Sequence, residues 1–277
     1  LSFSNSLALS GSGTNYFVLS SVPGAATNDQ IVVAGNLNLS GVTTMGVSYT
    51  ALGIGRYKLI TYGGARTGGT SNLWLTLTRV PLVAYLDASI TNEIDLVVIP
   101  PVSLAWVGDG LSNNWDIALT ENWLNISNST PTYFLNAEPV VFNDSGSKSP
   151  AVNLVGALAP SSLVVSNNTG TYAFSGSGYL SGSTGLTKQG AGSLVIANSG
   201  VNSFSGGTTI AGGTVSITED SALGAPPDSA VTNQITLSGG KLQTAADMTF
   251  TPNRGITVGA AGGALEAIYS LGVECLL

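Results

Sequence analysis

From residue 150 onward, short β-branched runs return at a nearly constant interval. Their centres fall at Val152, Phe174, Leu194, Val215, Ile235 and Ile256. A fixed period in the low twenties marks stacked supersecondary units, because one such turn of chain cannot cover its own apolar face and must lean on its neighbours. The runs alternate, as in "TVSI", "QITL" and "GITV", so that every second side chain points inward. Between them, "SGGKLQT" and "GAAGGALEA" supply glycine where a corner needs positive φ or a close backbone approach. A closed turn of this length, with strands stacked about 4.8 Å apart, is the geometry of a β-helix. A two-sheet sandwich is the rival, and it predicts hairpins every ~8–12 residues with no such period. The expected fold is all-β: a right-handed parallel β-helix (β-solenoid).

Earlier in the chain the candidate strands are also short and alternating, at 17–19, 31–33, 37–39, 57–61, 73–77 and 94–98. Gly-Asn, Ser-Gly and Gly-Gly turn dipeptides fill the gaps. Apolar residues make up 43% of the 277 positions and charged ones 8%. Disorder shows the opposite balance. The core can be buried, and its polar surface must be built from Ser, Thr, Asn and Gly. Three segments are expected: a β-solenoid segment at 1–100, an irregular Trp-rich junction module at 101–145, and a second β-solenoid segment at 146–277 whose densest repeat spans 185–217. In that repeat, Leu194 and Val215 are expected in successive layers of one core, with Ser and Thr on the outer face.

Charge and composition exclude several functions. Fifteen acids against eight bases give a net charge of −7, and Arg56, Lys58, Arg66 and Arg79 stand singly. Phosphate recognition needs a cationic footprint, so no nucleic-acid partner is expected. Histidine is absent, which removes imidazole bases, the usual hydrolase triads and most zinc sites. A lone Cys275 excludes an internal disulfide framework and reads as incidental. The chain starts at Leu1 without a Met or a basic-then-apolar leader, as a mature chain or a fragment would. The most apolar stretch, "IDLVVIPPVSLAWV", contains Asp95 and Pro100-Pro101 and is too short and broken to span a bilayer. No membrane insertion by this chain and no cofactor are expected.

Few residues present themselves as sites. Trp106, Trp115 and Trp123, at nearly even spacing, would serve either as a stacking platform for sugar rings or, preferably, as a buried plug with their N–H groups satisfied nearby. Asp109, Asn113, Asn114 and Asp116 could offer oxygen ligands to calcium, but their spacing fits neither an EF-hand nor the nonapeptide β-roll. Glycoside cleavage requires two carboxylates across a cleft. Glu219-Asp220 is an adjacent acid pair in a turn, while Asp228 and Asp247 stand alone, so no catalytic set is identified. Asn38, Asn125, Asn128, Asn143 and Asn167 begin Asn-x-Ser/Thr triplets, which chance supplies in a chain this rich in Ser and Thr.

The stretch "GLTKQGAGSLVIANSGVNSFSGGTTIAGGTVSI" (185–217) resembles the autotransporter-associated β-strand repeat, also called the passenger-associated transport repeat. The matching residues are Leu186-Thr187-Lys188, Gly190, Gly192 and Leu194, then Asn202, Phe204-Ser205-Gly206-Gly207-Thr208-Thr209, and Gly212-Gly213-Thr214-Val215. The flanks "SALGAPPDSAVTNQITLSGGKLQ" and "NRGITVGAAGG" look like segments that follow this repeat. "WVGDGLSNNWDIALTENWL" looks like the Trp-rich module that often precedes it, and "GNLNLSG" and "GRYKLITYGG" resemble the end of an earlier array. The last residues, "IYSLGVECLL", depart from the pattern. Lys188 and Arg254 fall on family positions and are read as solvated or corner-bonding residues. The resemblance implies a long exported protein on the outer surface of a Gram-negative-type bacterium, extracellular, with a β-helical exterior region; some such proteins end in an outer-membrane barrel and others in a sorting signal. The expected role is structural or adhesive: a rigid passenger, stalk or extracellular fibre subunit. A glycan-binding adhesin contacting surface glycans or other cells is the alternative, and a polysaccharide-degrading β-helix enzyme is a weaker one. Open strand edges would also permit end-to-end self-association into filaments.

Overall fold

The computed structural model describes residues 1–77, 83–146, 148–268 and 271–272. Arg79, Cys275 and most of the terminal "IYSLGVECLL" lie outside them. Among the described residues the regular elements are strands, apart from three short 3-10 turns, Thr70–Asn72, Asp144–Gly146 and Asp220–Leu223. No helix there is long and apolar enough to cross a membrane. The chain divides into two compact units, Leu1–Pro100 and Pro101–Leu277.

The first unit contains three sheets whose strands pair in parallel with the strand one turn away. The register sets Leu7 beside Leu37 and Thr14 beside Thr44, a turn of roughly 30 residues. Leu7–Ser10, Leu37–Ser40 and Arg66–Thr67 form one sheet. Thr14–Leu19, Thr43–Tyr49 and Leu73–Leu77 form a second. Ser2–Phe3, Ile31–Val33 and Gly55–Tyr62 begin the third. Inward residues such as Phe17, Val47, Leu37, Leu59 and Ile60 are buried in one core. The third sheet then changes sense: Glu93–Ile99 runs antiparallel to Gly55–Tyr62, and Val83–Asp87 antiparallel to Glu93–Ile99. This hairpin covers the backbone groups that another parallel strand would use. Arg56 bridges Asp87 and Asp95, and Lys58 pairs with Glu93.

The second unit carries two long sheets. One is all parallel: Asn114–Trp115, Ala151–Leu154, Thr171–Ser175, Ser193–Ile196, Thr214–Ile217, Lys241–Thr244 and Ala264–Ala267. The other runs in parallel through Leu104–Trp106, Pro139–Phe142, Ser162–Val165, Leu186–Lys188, Thr208–Ile210, Val231–Leu237 and Arg254–Val258. At its start, Trp123–Asn125 and Thr130–Thr132 add antiparallel strands beside Leu104–Trp106. A third face is mostly irregular, with two-residue strands Ala157–Leu158 and Tyr179–Leu180. Apolar residues on alternate positions stack on their counterparts one turn away, as in Phe142, Val165, Ile210 and Leu237. That stacking builds one continuous core.

The ladder expected through Val152, Phe174, Leu194, Val215, Ile235 and Ile256 is in fact two. Phe174 pairs with Ile196 and Leu194 with Val215, which pairs in turn with Leu242. Ile235 belongs to the other sheet, between Thr208 and Ile256. Each turn contributes two strands of similar β-branched composition, and apolar spacing cannot tell which of the two it has found. The true steps run from Leu163 to Leu186 to Thr208 in one sheet and from Tyr172 to Leu194 to Val215 in the other. The next step, Thr208 to Ile235 and Val215 to Leu242, is longer in both sheets and has the same length in each. The long step holds the Asp220–Leu223 turn and Pro226-Pro227. The expected outer position of Ser and Thr also needs correction: Thr208 and Ser216 are buried.

Candidate functional site

The tryptophans of the 101–145 segment form the start of the second unit's core. Alternation in Leu104–Trp106, Asn114–Trp115 and Trp123–Asn125 turns all three indoles inward, and each is 0% exposed. Trp123 lies between Trp106 and Trp115 at centroid distances of 5.1 and 5.2 Å, edge to face in both cases. Phe134, Phe142 and Phe174 complete the cluster. Edge-to-face pairs contribute about 0.5–1.5 kcal/mol each beyond area burial. No indole face is left open for a sugar ring to stack on. Trp106 Nε1 donates to the Ser149 carbonyl at 2.9 Å, whereas the N–H groups of Trp115 and Trp123 meet no acceptor among the described residues. Each such buried donor costs about 1–3 kcal/mol, so nearby polar satisfaction holds for one indole of the three. Glu138, a residue the sequence did not single out, is buried in the same segment. Its carboxylate accepts the Leu135 N–H at 2.8 Å, and burial pushes its pKa up to about 7.

The repeat motif supplies corners and core. Leu186, Leu194, Phe204 and Val215 are buried. Lys188 is buried too, in the inward row between Val165 and Ile210. Its ammonium donates to the carbonyls of Gln189 and Gly190, the latter at 3.2 Å, and burial pulls its pKa down to about 8. Gly190 and Gly213 adopt φ of +69° and +64°. A Cβ on Gly213 would lie 2.0 Å from the Gly192 carbonyl oxygen, and one on Gly190 2.4 Å from that of Asn167. Gly192 and Gly206 pass equally close to Asn167 and Thr184, and Gly207 shares the positive φ. Glycine at these positions lets adjacent turns of chain touch. Asn198 and Asn202 hydrogen-bond each other and the carbonyls of Gly178, Gly200 and Ala222, closing the corner from inside.

The remaining polar candidates are engaged by the fold. Asp109 accepts from the N–H groups of Leu111 and Asn113 and from the Ser112 hydroxyl. Partial burial opposes its charge, but these donors prevail and hold its carboxyl below the usual range. Asp116 accepts the Thr120 N–H at 2.9 Å, and Asn114 accepts from Asn153. Among the described residues no group of three or more His, Cys, Asp or Glu is gathered as a metal ion would need. Asp220 lies 2.8 Å from the Nε of buried Arg254, which also donates to the carbonyls of Leu223 and Gly224. Thr251 donates to Asp220 as well, while Glu219, Asp228 and Asp247 are exposed and are not brought together across a cleft. Asn125, Asn128 and Asn143 use their side-chain oxygens to accept the N–H two residues on, a turn-forming role, and Asn167 is buried.

The fourth tryptophan is placed differently. Trp74 is 53% exposed, on the face of "LWLTL" opposite Leu73, Leu75 and Leu77. The alternation carried that signal. Tyr16, on the same outward face, is 76% exposed.

Residues 186–217 match the model of the Passenger-associated-transport-repeat. Over 294 aligned residues the chain is 29% identical to the Adhesin BmaC autotransporter of Brucella suis biovar 1 (strain 1330). That alignment covers 89% of this chain but only 8% of the relative. No solved structure matches the chain significantly.

Proposed function

We propose that this chain is a β-solenoid segment, coiled as a right-handed parallel β-helix, of an exported protein on the outside of a Gram-negative-type bacterium, and that its role is adhesive or structural rather than catalytic. The observation that carries the reading is the placement of the matched repeat. Its strands lie in mid-ladder, bonded to Ser162–Val165 and Thr171–Ser175 on one side and to Val231–Leu237 and Lys241–Thr244 on the other. Each turn buries the face of the one before it, so stiffness comes from the backbone ladder and the stacked core without metal or disulfide. The similarity to an autotransporter adhesin supports an adhesive use of that scaffold. The acids that might have argued for glycoside cleavage are tied into turns or scattered.

The test displays the chain, fused to an outer-membrane anchor, on a non-adherent bacterial strain. Attachment to epithelial monolayers and to mucin-coated plates is expected to rise over the anchor alone. No gain on either surface overturns the adhesive role. Rapid, uniform digestion of the purified chain by proteinase K would overturn the rigid scaffold.

A further inference from the structure

We propose that the outward face of the sheet formed by Thr14–Leu19, Thr43–Tyr49 and Leu73–Leu77 binds a neutral, extended polysaccharide, with Trp74 and Tyr16 as the stacking groups. This names a ligand class and a site for the adhesive reading, on which it rests.

The parallel register fixes the outward rows. Thr14, Thr44 and Trp74 make one, Tyr16, Gly46 and Thr76 the next, and exposed Val18 lies beside Ser48 in a third. Tyr16 lies over Gly46, where a Cβ would come within 2.9 Å of the ring. With no side chain on Gly46, the phenol reaches over the middle strand while Tyr16 stays 76% exposed. Covering a bare glycine explains why an aromatic stands at Tyr16, but it does not explain Trp74, which stands two strands away with its ring half exposed. Isolated exposed apolar residues need no explanation; two aromatics held in register on a rigid sheet do.

Their Cα atoms are two strands and two residues apart, about 12 Å along the sheet diagonal, and the Tyr16 ring leans over Gly46 into that gap. Two aromatics on this diagonal can meet different sugars of one extended chain, whose C–H faces match aromatic faces. The threonine hydroxyls between and beside the rings can both donate and accept, as sugar hydroxyls require. No Lys, Arg, Asp or Glu stands in these rows. The chain as a whole is acidic, at −7, so the face suits a neutral glycan and disfavours an anionic one. The platform lies on the side of the sheet, so neither ring depends on a strand edge being open.

Titration of the purified chain with cellohexaose, xylohexaose, mannohexaose and chitohexaose, with polygalacturonic acid as the anionic probe, tests the site. Trp74 is the exposed tryptophan, so its fluorescence and its quenching by acrylamide report contact directly. Saturable binding of at least one neutral hexasaccharide is expected, with Trp74 shielded from acrylamide. Trp74→Ala and Tyr16→Ala should each weaken it about ten-fold or more. Gly46→Val, which lifts the Tyr16 ring, should reproduce the Tyr16→Ala loss, while exposed Val201→Ala should change nothing. No saturable binding up to millimolar concentration, preference for polygalacturonic acid, or binding that survives both aromatic substitutions overturns the proposal. In the display assay, equal attachment by wild type and Trp74→Ala sinks the platform and leaves the adhesive reading standing. No attachment by wild type sinks that reading, and the titration still decides the platform. Attachment that needs Trp74 but survives periodate oxidation of the target surface would identify a protein partner and overturn the glycan.

Discussion

Residues 1–100 and 101–277 build parallel ladders from different lengths of chain. In the first unit one turn carries Leu7 to Leu37 and Thr44 to Trp74, long enough for three regular sheets. In the second a typical turn carries only Leu186 to Thr208 or Leu194 to Val215, and its third face is reduced to irregular corners and two-residue strands. A shorter turn must bend more sharply, and the sequence reflects it. The second unit's repeat holds glycines at positive φ against neighbouring carbonyls, as Gly68 does in the first unit, and adds the buried Asn198–Asn202 pair and the inward Lys188. These features are the repeat motif itself. Each unit also carries antiparallel strands at one end of a ladder, 83–99 in the first and 104–132 in the second. The first closes with ion pairs and the second with an aromatic plug.

The sharpest way to test that contrast is to remove one tryptophan from each unit. Trp115 touches Trp123, Phe134, Phe142 and Phe174 and is fully buried. Trp115→Ala should cost about 3–5 kcal/mol in urea unfolding followed by tryptophan fluorescence, which three buried indoles of the second unit dominate. Trp74→Ala should stay within about 0.5 kcal/mol of wild type, as surface substitutions do. A large loss at Trp74 would mean that its ring supports the fold, and a small one at Trp115 would deny the plug.

Glycine gives the next effect. Gly213→Ala puts a Cβ 2.0 Å from one carbonyl oxygen and 2.6 Å from another, so backbone must move; about 2–4 kcal/mol of stability should be lost. Gly24, in the first unit, has φ of +77° and open space around it. Gly24→Ala should cost only the left-handed penalty, about 1–2 kcal/mol. Equal losses at the two sites would show that the close carbonyls add nothing to the left-handed penalty.

How legible this was depended on the same corners. "SGGTT" and "GGTVSI" announced stacked turns because glycine is forced there by contact, so the period of the second unit could be counted. The assignment of strands to sheets could not, since Val215 and Ile235 look alike and the insertion around Asp220–Leu223 shifts the count without a break in composition. The longer period of the first unit was silent: Leu37 has Leu7 on one side and Arg66 on the other, and Thr44 has Thr14 and Trp74. Gly68 is compelled there, at φ +80° with the Leu39 carbonyl 2.2 Å from where a Cβ would stand, but no motif repeats around it. Alternation in "LWLTL" accounts for the outward Trp74, but the spacing among Trp106, Trp115 and Trp123 drew attention to the buried three. Lys188 reads as surface by residue type; only the pairing of its strand places it between Val165 and Ile210.

The effect spread over the widest range of conditions is a dependence on pH that should differ between the units. In the second, burial raises Glu138 from 4.5 to about 7 and lowers Lys188 from 10.5 to about 8. Between pH 4.5 and 7 the folded chain keeps a proton on Glu138 that the unfolded chain has lost, so stability falls as pH rises. Between 8 and 10.5 the unfolded chain keeps a proton on Lys188 that the folded chain has lost, so stability climbs again. The second unit should therefore be least stable near pH 7–8, with slopes bounded at about 1.4 kcal/mol per pH unit for one proton. Glu138→Gln should flatten the acid limb and Lys188→Met the alkaline one, each leaving the other in place. The first unit lacks this valley. Its Asp87 is held below the usual carboxylate range: partial burial opposes the charge, but hydrogen bonds from Ser89 and Arg56 prevail, so that stability is lost only on acidification. Burial shifts neighbouring Asp95 upward, against the pull of Arg56, which partly cancels the slope. Unfolding midpoints measured from pH 4.5 to 10.5 check this, and a flat wild-type profile for the second unit would deny that either buried charge is felt by the fold.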